Sequence, residues 1–183
     1  MEPPGALRMD TRILSIFQLE VKRQAKFGLM AASEMEETLR SRDNERFWYS
    51  IQALLVAAGN VSKLLWTSGT SKKTGVERGR YLRNSLAVDQ DSPLHDRTLR
   101  NNFEHFDERL DAWTAAAHLG GFVDSNVGPR GMIRGTTPAS YLRNYETDVA
   151  TLTFKGESLE LKPLVQALVE IHEKAAAELG RTC

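Results

Sequence analysis

Apolar residues recur at helical spacing along most of the chain. From Asp10 or Thr11, either of which can cap a helix through its side-chain oxygen, Ile13, Ile16, Phe17, Phe27 and Met30 fall three or four residues apart, or at multiples of that spacing. The pattern runs to about Leu39 and predicts a first helix. Ser41, Asp43 and Asn44 break it and offer a new cap. Phe47, Ile51, Leu54, Leu55, Ala58, Val61 and Leu65 then trace one continuous stripe, the clearest amphipathic helix in the sequence, ending near Trp66. Residues 67–77 are polar and rich in Gly and Ser, as a flexible loop is. A short helix is predicted over 78–87, with Tyr81, Leu82 and Leu86 inward. After a loop at Asp89–Pro93, Ser92 is a candidate cap and Pro93 a candidate first helical residue. Leu99, Phe103, Phe106, Leu110, Trp113 and Ala117 then repeat with spacing 4, 3, 4, 3, 4, the seam of a helix packed lengthwise in a bundle over 93–117.

Gly120-Gly121 stops that helix, and four glycines with two prolines over 121–138 read as irregular loop. Tyr141, Arg143 and Tyr145 alternate with other residues, as do Thr151 and Thr153 with Leu152 and Phe154. Lys155-Gly156-Glu157-Ser158 reads as a turn, with Leu159 to Leu161 pairing back, so a small β-hairpin or three-stranded ribbon is predicted over 139–161. Pro163 opens a last helix with Leu164, Ala167, Leu168 and Ile171 on one face, ending near Leu179-Gly180. The expected fold is mainly α. It is a single domain over 1–183, an up-and-down bundle of four long helices plus a short helix, with a small β-hairpin inserted before the last helix. Residues 1–9 are expected to form a flexible leader.

Composition narrows the function classes. With 183 residues, 41% hydrophobic and 26% charged, the chain has the make-up of a globular domain that needs no disulfide or metal staple. Lys plus Arg and Asp plus Glu both number 24, so the net charge is zero and a globally basic nucleic-acid coat is excluded. The one cysteine, Cys183, excludes a disulfide framework and a multi-cysteine zinc site. The longest apolar run, Ala53 to Ala58, is six residues, short of a membrane span. Met1 to Asp10 lacks the basic start and apolar stretch of a signal peptide. The expectation is a cytoplasmic protein that does not enter a membrane. No phosphate loop, dinucleotide fingerprint or nucleophile elbow is present. The four histidines lie far apart in sequence, so no cofactor and no metal are expected.

The polar face of the predicted 93–117 helix is the most informative segment. Arg97, Asn101 and His105, each four apart, form one stripe, with Arg100 and Glu104 beside it. Arg100 and His105 diverge by roughly 140° around the axis and straddle that face. The residues alone allow two readings. Arg100 pairs with Glu104 and His105 is an ordinary surface histidine, or both reach one ligand when a second molecule covers the face.

The run Leu99-Arg100-Asn101-Asn102-Phe103-Glu104-His105 resembles the signature of the HEPN superfamily, the "higher eukaryotes and prokaryotes nucleotide-binding" domains. That signature is an Arg, usually followed by a polar residue, then a His after four to six intervening positions. The resemblance covers residues 10–117 and the last helix, and leaves the hairpin outside the common core. It implies a four- to five-helix bundle that dimerises through the polar face of the motif helix, lining one cleft with two Arg/His pairs. Many such proteins are metal-independent endoribonucleases, often the toxin of a toxin–antitoxin pair. Others are catalytically silent RNA-, nucleotide- or protein-binding modules. By the same resemblance His105 is the general acid/base, Arg100 the phosphate clamp, and Asn101 a group that orients the imidazole or contacts phosphate. RNA carries its own nucleophile, the 2′-OH, so a histidine and an arginine suffice for cleavage to 2′,3′-cyclic phosphate and 5′-hydroxyl ends. The expected partners are a second copy of the chain, an RNA substrate and an antitoxin protein.

Lys72, Lys73, Arg78, Arg80 and Arg83 form the one basic cluster and, with Arg97, are candidates for steering RNA through phosphate contacts. A solvated loop and helix face is the other reading. Arg130 and Arg134 in the glycine-rich loop are weaker candidates of the same kind. Trp48, Tyr49, Trp66 and Trp113 are read as core or interface aromatics.

Overall fold

A computed structural model of the chain describes residues 9–67, 73–96, 105–116 and 121–182. The elements in chain order are α1 (Thr11–Ser41), α2 (Asn44–Leu65), α3 (Lys73–Ser85), a 3-10 turn (Pro93–His95), α4 (Phe106–Ala116), β1 (Asn126–Val127), a second 3-10 turn (Pro138–Ser140), β2 (Arg143–Glu146), β3 (Thr151–Phe154), β4 (Glu157–Glu160) and α5 (Leu161–Thr182). The fold is mainly helical, with a small sheet before the last helix.

α1 starts where its cap residue directs: the Asp10 carboxylate accepts the Arg12 N–H at 2.7 Å. It ends on Arg42, whose backbone is left-handed at φ 59°. The N–H groups of Arg42 and Asp43 return to the carbonyls of Leu39 and Thr38, closing the orphan carbonyls of the last turn. Asp43 then caps α2, its carboxylate accepting the Arg46 N–H at 3.1 Å. Two residues thus reverse the chain, and α1 and α2 pack as an antiparallel hairpin with α5 against α1. The α2 stripe is buried as its periodicity predicts, as are Leu164, Ala167, Leu168 and Ile171 of α5.

α1 departs from the expectation. Four of the five large apolar residues of the predicted stripe face outward, with Ile13 49%, Ile16 66%, Phe27 48% and Met30 59% exposed, while Phe17 is partly buried against the core. The buried line is Gln18, Val21, Ala25, Gly28, Ala31, Ala32, Met35 and Thr38. The reason is close approach. A Cβ on Gly28 would stand 2.8 Å from Leu168 Cδ1, 3.5 Å from Ala57 Cβ and 3.6 Å from Leu54 Cδ1. A helix that touches two others this closely needs a glycine at the point of contact.

The 93–117 helix is not continuous. Pro93–His95 is a single 3-10 turn, and Asp96 is extended (φ −62°, ψ 125°). The His95 N–H bonds the Ser92 carbonyl at 2.8 Å, an i to i+3 bond that does not propagate into an α-helix. Regular α-helix is described from Phe106 onward. Leu99, Phe103 and Ala117 of the predicted seam lie outside the described residues, while Phe106 and Leu110 are partly buried and Trp113 is buried. Two smaller boundaries also shift. α3 begins at Lys73 rather than 78, and α5 begins at Leu161, which leaves Pro163 in the first turn where a missing N–H costs nothing.

The predicted hairpin is a four-stranded sheet of order β1-β2-β3-β4. β2, β3 and β4 are antiparallel neighbours, and Lys155-Gly156, both at positive φ (45° and 87°), make the two-residue turn between β3 and β4. β1 pairs with β2 in parallel, Asn126 opposite Asn144 and Val127 opposite Tyr145. It lies within the segment read as irregular loop, because a two-residue strand has no periodicity to detect. One face of the sheet joins the bundle core: Tyr145 meets Phe47 at 5.0 Å and Phe154 meets Phe106 at 6.1 Å between ring centroids. On the other face Asn126 Nδ2 donates to Asn144 Oδ1 at 2.6 Å, and the Thr153 and Ser158 hydroxyls lie 3.1 Å apart.

Candidate functional site

His105 occupies the turn immediately before α4. Its carbonyl accepts the Arg109 N–H at 3.1 Å, the first α-helical bond of that helix. Its ring is 57% exposed, and Nδ1 lies 3.4 Å from Glu108 Oε1. Asp107 and Glu108 both stand in the first turn, where carboxylates complement the helix dipole. The imidazole therefore has a carboxylate on one nitrogen and solvent access, an arrangement that can hold one tautomer and exchange protons. Arg100, Asn101 and Arg97 lie outside the described residues.

Arg109, one turn beyond His105, is a residue the sequence reading missed. Its Nε is buried and, among the described residues, has no hydrogen-bond partner. It stands four positions from His105 on the same edge of α4, and that spacing alone was the available signal. That Nε is closed to solvent, so the imidazole is the accessible group of the two. The start of α4 is fixed in turn by the sheet. Arg143 lies over the rings of Phe106 and Trp48, at 5.4 and 5.6 Å. Its guanidinium grips Asp124, Nε donating to Oδ1 at 2.8 Å and Nη2 to Oδ2.

The basic cluster divides. Arg78 donates to the carbonyls of Leu64 at 3.5 Å and Lys63 at 3.1 Å, and Arg83 to that of Leu65. Both guanidinia close the C-terminus of α2, where cations also complement the dipole. Burial lowers the pKa of each from the usual arginine value. Arg78 lies 5.3 Å from the Phe17 ring centroid and Arg83 5.8 Å from that of Trp66. Lys73 and Arg80 are exposed, Arg80 over the Tyr81 ring at 4.6 Å. Lys72 lies outside the described residues. Arg130 pairs with Glu146 at 2.6 Å, while Arg134 is exposed. A cavity of about 550 Å³ opens beside Arg78, lined by Met9, Ile13, Phe17, Thr67, Thr74 and Gly75.

A second imidazole is held rigidly. His95 stacks on Trp66 at 4.6 Å and 14°. Its Nδ1 is 2.9 Å from the Gln90 carbonyl, and the Gln90 side chain accepts the Trp66 Nε1–H at 3.1 Å. No periodicity announces this cluster, because all three residues lie outside the α-helices. Trp48, Trp66 and Trp113 are buried, whereas Tyr49 is 73% exposed. Among the described residues, no three of His, Cys, Asp and Glu converge as a metal-ligand group, and no helix is long and apolar enough to cross a membrane.

Comparison with protein-family models, with curated proteins and with solved structures returned no match.

Proposed function

We propose that the protein is a HEPN-like, metal-independent endoribonuclease of toxin–antitoxin type, with His105 as acid/base and Arg100 as phosphate clamp. The observation that supports this reading is the exposed His105 imidazole beside Glu108, one turn from the partnerless Nε of Arg109. Arg109 adds a second cation to the carried-over pair. In the reaction the RNA 2′-oxygen attacks phosphorus and gives up its proton to the imidazole. The P–O5′ bond breaks, and protonation of the departing 5′-oxygen leaves a 2′,3′-cyclic phosphate and a 5′-hydroxyl. Asn101 orients the imidazole or contacts phosphate, and the cleft is completed by the corresponding segment of a second copy. Lys73 and Arg80 are available to phosphate, and Arg78 and Arg83 do their first work on α2.

The test is incubation of the purified chain with mixed single-stranded RNA in excess chelator, beside His105→Ala and Arg109→Gln prepared identically. The expected result is cleavage by the parent, loss of on the order of 100-fold or more in His105→Ala, and a smaller loss in Arg109→Gln. Equal cleavage by parent and His105→Ala would refute the assignment. No cleavage by any of them would leave the catalytically silent binding module as the better reading.

A further inference from the structure

We infer that the outward face of α1 is a self-complementary interface on which a second copy of the chain docks antiparallel, in one register. This does not rest on the ribonuclease reading and concerns a different surface from the motif segment. The exposed residues Ile13, Ile16, Arg23, Phe27 and Met30, with half-buried Glu20 between Ile16 and Arg23, follow one another at spacings of 3, 4, 3, 4 and 3. That is the seam of a two-helix coiled coil, about 26 Å long at the helical rise, on a helix whose opposite face is already buried against α2 and α5. Four of the six are large apolar side chains, 48–66% exposed. Leu19, 45% exposed, widens the same strip. Two apolar patches on one helix face, joined by a charged pair, mark a contact surface on a folded domain.

The charges select the partner and the register. In an antiparallel coiled coil each seam position of one class meets the other class on the facing helix. The alignment that sets Ile13 against Met30 also sets Ile16 against Phe27 and Glu20 against Arg23, and the two-fold axis repeats all three layers. Apolar residues then meet apolar ones at both ends, and opposite charges meet in the middle. Within one chain Arg23 Nη1 already bonds Glu20 Oε2 at 2.7 Å, and Glu20 Oε1 accepts Gln24 Nε2 at 2.8 Å. Both side chains are therefore held at the surface in the place the partner needs. In the docked pair each carboxylate lies between two guanidinia. A parallel pair would oppose Glu20 to Glu20 and Arg23 to Arg23. Sliding the antiparallel pair by one heptad would bury Glu20 against Met30 and Arg23 against Phe27, or leave Ile13 and Ile16 facing charges. A central polar layer is the known means by which such seams fix orientation at some cost in affinity.

The experiment is sedimentation equilibrium of the full chain over a wide concentration range, with Phe27→Glu, Glu20→Arg and the double variant Glu20→Arg/Arg23→Glu. Phe27 and Arg23 are exposed and Glu20 is half-buried, and thermal melts confirm that the variants fold. The expected result is association through this face, a dimer or, where the motif segments also pair, a tetramer, that Phe27→Glu and Glu20→Arg weaken on the order of 100-fold, with association restored in the double variant because the swapped charges again oppose. In a Cys183→Ser background, the Ile13→Cys/Met30→Cys pair should form an intermolecular disulfide on oxidation, and Ile13→Cys alone should not. A monomer at all concentrations, a dimer insensitive to Phe27→Glu, or cross-linking through Ile13→Cys alone would each overturn the inference.

Discussion

Gly79 sits in α3 where that helix crosses the end of α2, and replacing it with alanine puts a methyl group against backbone. The added Cβ would lie 2.4 Å from the Leu65 carbonyl oxygen, 3.2 Å from its carbon and 3.3 Å from Arg83 Nη1. Carbon–oxygen contacts begin at about 3.3 Å, so roughly 0.9 Å of relief is required. A side chain could rotate away, but the oxygen belongs to the last turn of α2 and already accepts the Arg83 guanidinium. α3 must therefore move as a unit. Overpacking of this kind costs about 1–3 kcal/mol, at its upper end where backbone shifts. The better helix propensity of alanine returns about 1 kcal/mol. The expected net loss is about 2 kcal/mol, a fall in Tm of roughly 4–8 °C for a chain of this size. Gly180→Ala is the control: among the described residues no side chain or neighbouring element lies within 4 Å of its Cβ position, so it should leave stability unchanged or raise it by up to about 1 kcal/mol. Denaturant titration of both variants measures the difference. A Gly79→Ala protein as stable as the parent would refute the close approach of α3 to the α2 terminus.

Two further outcomes follow from the backbone and from burial. Arg42 holds a left-handed conformation in the α1–α2 turn, so Arg42→Gly should stabilise the chain by about 0.5–1 kcal/mol in thermal melts, the side chain being exposed and the strain removed. Tyr145 has its pKa raised from the usual 10.0 by burial, with the negative charge of Glu36 adding to the effect. The unfolded tyrosine ionises first as pH rises, so the native state binds the extra proton and stability falls above about pH 10. Tyr145→Phe should flatten that decline in urea titrations at pH 9 and 11. Parallel losses in the two proteins would contradict it.

Much of the helical framework is legible in residue order. α2 and α5 present large apolar residues on one stripe and polar residues on the other, so periodicity names the element and its buried side together. The Asp10 and Asp43 caps and the Lys155-Gly156 turn are equally local, because each depends on a side chain or φ value within a few residues. His105 is legible as a candidate by its spacing from Arg100, and Arg109 became one only once its Nε was found buried without an acceptor. That property depends on what surrounds α4, not on α4 itself.

α1 shows where local information stops. Its periodicity establishes a helix, but it carries two apolar stripes, one large and one small, and the hydrophobic effect alone favours burying the large one. Steric fit decides otherwise. Two helices approach so closely at Gly28 that only a residue without a side chain fits at that point, and Ile13, Ile16, Phe27 and Met30 are left outside. Likewise Arg78 and Arg83 read as free cations until α3 is laid across the open carbonyls of α2, and β1 exists only because β2 supplies its hydrogen bonds. Residue order by itself determined what backbone torsion, capping and periodicity control over one or two turns. Tertiary structure decided which face is buried and which charges are already engaged, since both depend on partners distant in the chain.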